Sequence, residues 1–193
     1  MNSQTSSALF QEARRGSPRA ISSLFARYGE RLHALIRLRL GAGLRRRLES
    51  RDILQATLLK AFQGIERFEG SGSRSLMAWL ATIAQAEICD QADFYGRRKR
   101  DAARETTLRP ELDPAAEQLR SEVSRLQLLA DGERLERAID ALDEDHREVI
   151  LLRNFEELTF AEVGERMDRS PDACRMLYAR ALAALTLRMR GIS

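Results

Sequence analysis

Apolar residues recur every three or four positions over most of the chain, the period of helices with one buried face. Runs of alternating Val, Ile and Thr, which would indicate strands, are absent. Ser17-Pro18 supplies a cap and a proline-compatible first turn for a helix running to about Leu40, and Gly41 and Gly43 end it. Ser50 can cap the next segment, RDILQATLLKAFQ, which ends near Gly64. EGSGSRS (69–75) reads as a flexible loop, followed by a long helix over roughly 75–101. Residues 102–112 look like a linker, and Asp113-Pro114 opens another helical stretch that Asp131-Gly132 interrupts. ERLERAIDAL and EDHREVILLRNF then lead into LTFAEVGERMDRSPDACRMLYARAL, residues 158–182. The pattern predicts an all-α protein of two small helical domains: 1–100, a partly helical linker over 101–130, and 131–193.

The last segment stops one helix at Asp168-Arg169 and starts another at once. Thr159-Phe160-Ala161-Glu162 is a capping box, and Ser170-Pro171-Asp172 places a cap, a first-turn proline and an acid at the positive end of the helix dipole. In the second helix Cys174, Leu177, Tyr178, Ala181 and Leu185 share one stripe, predicted buried. Asp172, Arg175, Met176, Ala179 and Arg180 fall largely outside it. Two short helices across a tight turn, the second basic, describe either a helix-turn-helix or an ordinary helical hairpin.

Charge sharpens the picture. The net charge is +3, but residues 1–100 hold 18 Lys+Arg against 9 Asp+Glu, and residues 101–193 hold 14 against 20. The first half suits a polyanion. The second is acidic except over 169–193, which carries five Arg and one Asp. Ala, Leu, Arg and Glu, all good helix formers, dominate a composition that is 44% hydrophobic and 32% charged. No apolar run approaches the roughly 20 residues that span a bilayer, so membrane insertion is not expected and the expected location is the cytoplasm. Two cysteines and two histidines without ligand spacing predict no metal, and Cys89 and Cys174 are read as buried, reduced thiols. No Gly-rich phosphate loop or nucleophile–base pattern is present, so no cofactor, catalytic residue or enzymatic activity is expected.

The stretch LERAIDALDEDHREVILLRNFEELTFAEVGERMDRSPDACRMLYARALAAL resembles the promoter-reading C-terminal domain of bacterial RNA polymerase sigma factors of the extracytoplasmic-function group. DILQATLLKAFQGIERFEG and AWLATIAQAEICDQADFYGRRKRD resemble the same group's core-binding and promoter-melting domain. The resemblance covers roughly residues 18–190 and implies an alternative sigma factor, a dissociable polymerase subunit. It implies that Ser170, Asp172, Arg175, Met176, Ala179 and Arg180 face the −35 element, where arginine can pair with guanine or grip phosphate and Met176 and Ala179 offer apolar contact. It places Asp52, Gln55, Leu58, Leu59 and Lys60 on the polymerase-binding helix, with at least one of the two leucines in the core. The family's usual Glu after this Gln is Ala56 here.

For the −10 element, the resemblance assigns Ser73 and Arg74 to a base-capturing loop and Gln85 and Glu87 to the adjacent helix. Many relatives have Asn where this chain has Ala86. Phe94 and Tyr95, followed by Arg97, Arg98, Lys99 and Arg100, mix stacking surface with charge, as a single strand requires. Trp79 is read as core. The implied partners are core RNA polymerase, through its clamp and flap, promoter DNA, and an anti-sigma protein. The alternatives are a free-standing helix-turn-helix regulator, which predicts a dimer on a palindrome, and a helical protein that binds no DNA.

Overall fold

The computed structural model describes residues 6–68, 72–102 and 132–191, with side chains over 8–9, 11–68, 76–94 and 132–191. Among the described residues the chain is helical, without strands. The helices are α1 (Ser6–Arg14), α2 (Pro18–Arg45), α3 (Ser50–Gly64), α4 (Gly72–Ala102), α5 (described over 132–140), α6 (Glu144–Ile150), α7 (Phe160–Met167) and α8 (Pro171–Gly191). The helical stretch expected from Asp113-Pro114 lies outside the described residues.

The expected caps mostly form. Ser17 Oγ accepts from the Ala20 amide at 3.4 Å; Asp143, which the sequence reading did not single out, caps α6 through the His146 amide at 3.0 Å. At α3 the cap is Glu49, with no side-chain hydrogen bond, rather than Ser50. The Ser50 hydroxyl is instead buried against His33, 2.9 Å from its Nε2. Helix α1 was not expected, because SSALFQEAR is too short to show a clear period; it packs on α2 and α4. The backbone is helical from Gly72, so the end of the expected loop belongs to α4.

Gly41 breaks the regular helix, as expected: its backbone stands outside helical geometry, at φ 61° and ψ 171°, and a second short helical stretch runs from there to Arg45. Only glycine takes that backbone at little cost. The absent side chain also leaves room for the Arg147 guanidinium, which would lie 3.3 Å from a Cβ at this position and donates to the Leu38 carbonyl.

Two apolar clusters form. The first joins Leu24, Leu32, Ile36 and Leu40 of α2 with Ile53 and Ala61 of α3 and Met77, Leu80 and Ile88 of α4. Each large side chain buried there contributes about 1.5–3 kcal/mol. The second gathers Ile139, Val149, Ile150, Leu151, Leu152, Val163, Cys174 and Ala181, and it also takes in Leu35 and Leu38 of α2 and Ala81 of α4. Helix α2 therefore serves both clusters, one on each side. Between α6 and α7 the helical ladder slips to an i→i+5 spacing over Leu151–Phe155, and the Glu156 amide donates to the Leu151 carbonyl at 3.1 Å. Cys174 is buried as expected, but Cys89 is exposed on the outer side of α4, correcting its reading as a buried thiol.

Candidate nucleic-acid interface

Helices α7 and α8 meet across a three-residue corner, Asp168 to Ser170. The Thr159 hydroxyl accepts from the Glu162 amide at 3.3 Å, and the Thr159 amide donates to the Glu162 carboxylate at 2.6 Å, closing the capping box. Asp168 ends α7 in the left-handed region at φ 53°. The Arg169 amide returns to the Gly164 carbonyl at 2.9 Å. This return brings the Arg169 carbonyl so close that a Cβ on Gly164 would sit 2.5 Å from its oxygen. Ser170 then caps α8, its hydroxyl accepting from the Ala173 amide at 3.2 Å.

The corner turns the start of α8 outward. Cys174 and Ala181 are buried and Leu177, Tyr178 and Leu185 pack on the second cluster, so the expected stripe is the inner face. Ser170, Asp172, Arg175, Met176, Ala179 and Arg180 are all exposed on the other side, and Met176 retains 58% of its surface. Asp172 pairs with Arg175. The Arg175 guanidinium also lies 5.6 Å from the centre of the Phe160 ring, and that of Arg153 lies 5.0 Å from it. Phe160 thus holds two arginines near the head of α8, a role that its place in a capping box did not suggest.

On α3, Asp52, Gln55, Leu59 and Lys60 are exposed, whereas Leu58 packs against the first cluster. One of the two leucines is therefore core. Asp52, Gln55, Leu59 and Phe62 follow one another at i, i+3, i+7 and i+10 along one face. Phe62 is 51% exposed and Leu59 58%, an apolar pair on an otherwise polar side. Phe62 was missed because, in sequence, it reads as one more core position.

Helix α4 carries every expected −10 residue. At about 1.5 Å per residue, Ser73 to Arg100 spans about 40 Å. Gln85 and Phe94 are exposed. Glu87 is buried, and its carboxylate pairs with Lys60 of α3. That hydrogen bond to Glu87 raises the Lys60 pKa. The pair ties the two helices together, which sets Glu87 apart from its exposed neighbours. Ser73, Arg74, Tyr95, Arg97, Arg98, Lys99 and Arg100 lie on helical backbone, but their side chains fall outside the described residues. Trp79 packs against the first cluster and stacks on Phe68, ring centres 4.7 Å apart.

The family description Sigma-70 region 2 matches residues 24–102, and Sigma-70, region 4 matches residues 132–185. The chain is 31% identical over 172 residues to RNA polymerase sigma factor CarQ of Myxococcus xanthus, covering 89% of this chain and 90% of that one. The chain belongs to the extracytoplasmic-function group of RNA polymerase sigma factors. An ECF RNA polymerase sigma-E factor of Haemophilus influenzae is 29% identical over 191 residues, covering 92% of this sigma factor and 91% of its own length. Two solved structures share the fold. CnrH, in complex with the cytosolic domain of CnrY, superposes with a TM-score of 0.56 at 22% identity, over 98% of this chain and 100% of that one. The sigma factor RpoE, in complex with the anti-sigma factor NepR from Bartonella quintana, gives 0.53 at 20%, over 88% and 95%. As a sigma factor the protein binds core RNA polymerase and promoter DNA and directs transcription initiation.

Proposed function

We propose a division of labour between two domains, 1–100 and 131–193, joined by a linker over 101–130. The second reads the −35 element with the exposed face of α8. The carrying observation is that six side chains at the head of α8, Ser170 through Arg180, stand together on one open face while the corner behind them closes on itself. Arg175 and Arg180 supply bidentate or phosphate contacts, Met176 and Ala179 meet apolar base edges, and Ser170 and Asp172 set the helix start.

The first domain binds the polymerase clamp through Asp52, Gln55, Leu59 and Lys60, with Phe62 added as an apolar anchor and Leu58 holding the helix from beneath. Along α4, Ser73, Arg74 and Gln85 recognise the −10 strand, and Phe94, Tyr95 and the basic run 97–100 hold melted bases and backbone. Unstacking a base costs a few kcal/mol, which stacking of roughly 1–3 kcal/mol per base offsets. Glu87 acts beneath this surface by holding Lys60. The protein acts in the cytoplasm as a binding factor, not as an enzyme. An anti-sigma protein is a further partner, in keeping with the partner-bound state of both structural neighbours.

The deciding experiment is in vitro transcription with core polymerase on fragments of the parent genome. New start sites that require the protein, and that share two spaced elements, are the expected result. Discrete binding sites on DNA without polymerase, and no new starts, would overturn the assignment.

A further inference from the structure

The two arginines at the head of α8 are held differently. Arg175 is restrained on two sides. Its Nη1 donates to the Asp172 carboxylate, and its guanidinium lies over the Phe160 ring, 5.6 Å from the centre. Among the described residues its Nε and Nη2 have no hydrogen-bond partner. Arg180, on the same exposed face, has no such restraint among the described residues. The ring that steadies Arg175 is itself fixed. Phe160 opens α7 beside the capping Thr159. It meets the Tyr178 ring edge-on, centres 5.7 Å apart, and carries Arg153 at 5.0 Å. Tyr178 donates its hydroxyl to Asn154 Oδ1 at 2.7 Å, and Arg153 donates to the Leu158 carbonyl at 2.8 Å. The segment after α6, the start of α7 and the head of α8 thus converge on one aromatic side chain.

A guanidinium reads guanine with two parallel N–H bonds, to O6 and N7. Its fork can offer them from the end, through both Nη atoms, or from the side, through Nε and Nη2. Asp172 occupies Nη1, so the side remains. Such a contact is directional, and an arginine on a free arm must freeze several rotors to make it. Phe160 and Asp172 do part of that freezing before DNA arrives. The carboxylate also separates base from backbone. Beside a phosphate it would repel the DNA and leave the pair near neutrality, so Arg175 would gain little there. Against a base edge the same carboxylate keeps the fork in place. The helix dipole accounts for an acid at this position, but not for its grip on Arg175.

We infer that Phe160 and Asp172 are positioning residues that hold Arg175 with its Nε–Nη2 side outward, so that it reads one guanine of the −35 element rather than phosphate. The inference rests on the −35 reading of α8, but one arm of its test needs no DNA. In the full chain alone, the Arg175 side-chain protons should show a ring-current displacement in the NMR spectrum that Phe160→Leu abolishes and Phe160→Tyr keeps. Arg175 protons at ordinary positions in the wild type would overturn the hold, whatever the promoter result. The second arm is transcription by core polymerase with the full chain on every single-base change of the −35 element. Phe160→Leu should narrow the preference for one G·C pair by about two- to fivefold, equivalent to the roughly 0.5–1 kcal/mol of an exposed cation–ring contact, and leave the other positions unchanged. That loss should vanish in the Arg175→Ala background and persist in the Arg180→Ala background. Asp172→Asn should narrow the preference at the same pair. Asp172 is exposed, so this variant tests the hold even if Phe160→Leu loses helix. A uniform loss over all promoters, or a loss that survives Arg175→Ala, would overturn the positioning role. A ring-current displacement in the free chain, with no −35 position sensitive to Arg175→Ala, would instead overturn the −35 reading and leave the held side chain standing.

Discussion

Replacing Gly164 by Ala should damage the DNA-reading unit although alanine is the better helix former. In an unconstrained helix the change would stabilise by about 1 kcal/mol. Here the new methyl would lie 2.5 Å from the Arg169 carbonyl oxygen and 3.5 Å from the Pro171 nitrogen. It falls short of ordinary contact, 3.4 Å or more, by about 0.9 Å. The obstacle is backbone, tethered by the Arg169 amide's bond to the Gly164 carbonyl, so it cannot swing aside as a side chain would. Forced overpacking costs typically 1–3 kcal/mol, and a rigid obstacle belongs at the upper end. The net expectation is a loss of about 1–2 kcal/mol. In a domain of this size that lowers the melting temperature by about 4–8 °C per kcal/mol. Relief by opening the corner would also tilt the head of α8 away from its DNA-facing set. Thermal unfolding followed by circular dichroism gives the first number, and core-dependent transcription from promoters altered in the −35 element gives the second. A variant as stable as wild type with unchanged promoter choice would refute the claim that this close approach sets the geometry of the turn.

Four further outcomes follow from the same geometry. Thr159→Ala removes the capping box and should cost about 0.5–2 kcal/mol in denaturant unfolding. Arg175→Ala should cost about 1–3 kcal/mol at one base position if it reads a base, whereas a uniform loss over all sequences in a promoter-variant panel would assign it to phosphate. Leu59→Ser with Phe62→Ser should weaken binding to core polymerase in a pull-down or fluorescence titration while leaving helical content intact, because both side chains are already in water. His33 has its pKa lowered by burial and then by Arg37 and Arg51. The unfolded chain therefore binds that proton more tightly. Its contribution to stability is complete above about pH 6.5 and is lost as pH falls through the folded-state value, and His33→Gln should flatten that part of the unfolding profile.

Local signals carried the sequence reading far. Ser17, Thr159 with Glu162, and Ser170 each encode a helix start within three residues, and the structure uses each hydroxyl as a cap. The Cys174–Leu185 stripe predicted which side of α8 faces out, and the family resemblance assigned the −35 set to that side. What the sequence did not disclose depends on distant partners. Ser50 looks like a cap, but His33, 17 residues away, takes its hydroxyl. Gly41 reads as a stop and does break the helix, but its place beside the Arg147 guanidinium, far along the chain, was not visible in the sequence. Glu87 and Phe62 show the same limit in opposite senses. A glutamate expected at the surface is buried against Lys60, and a phenylalanine in a helical apolar pattern stands in water. Nor does the periodicity of α2 show that its arginines face carboxylates about 100 residues away.

The stacking of Trp79 on Phe68 has a practical consequence. Trp79 is the single tryptophan of the chain. It sits beside Gly64 at the end of α3 and early in α4, between the helix assigned to polymerase and the segment assigned to the melted strand. Its fluorescence is therefore a label-free optical reporter placed at one corner of the first domain. Phe68 immediately precedes the 69–75 stretch, so a rearrangement there would unstack the indole and shift its emission. Events confined to α7 and α8 would leave that signal unchanged, and stopped-flow emission could time the order in which the two halves engage.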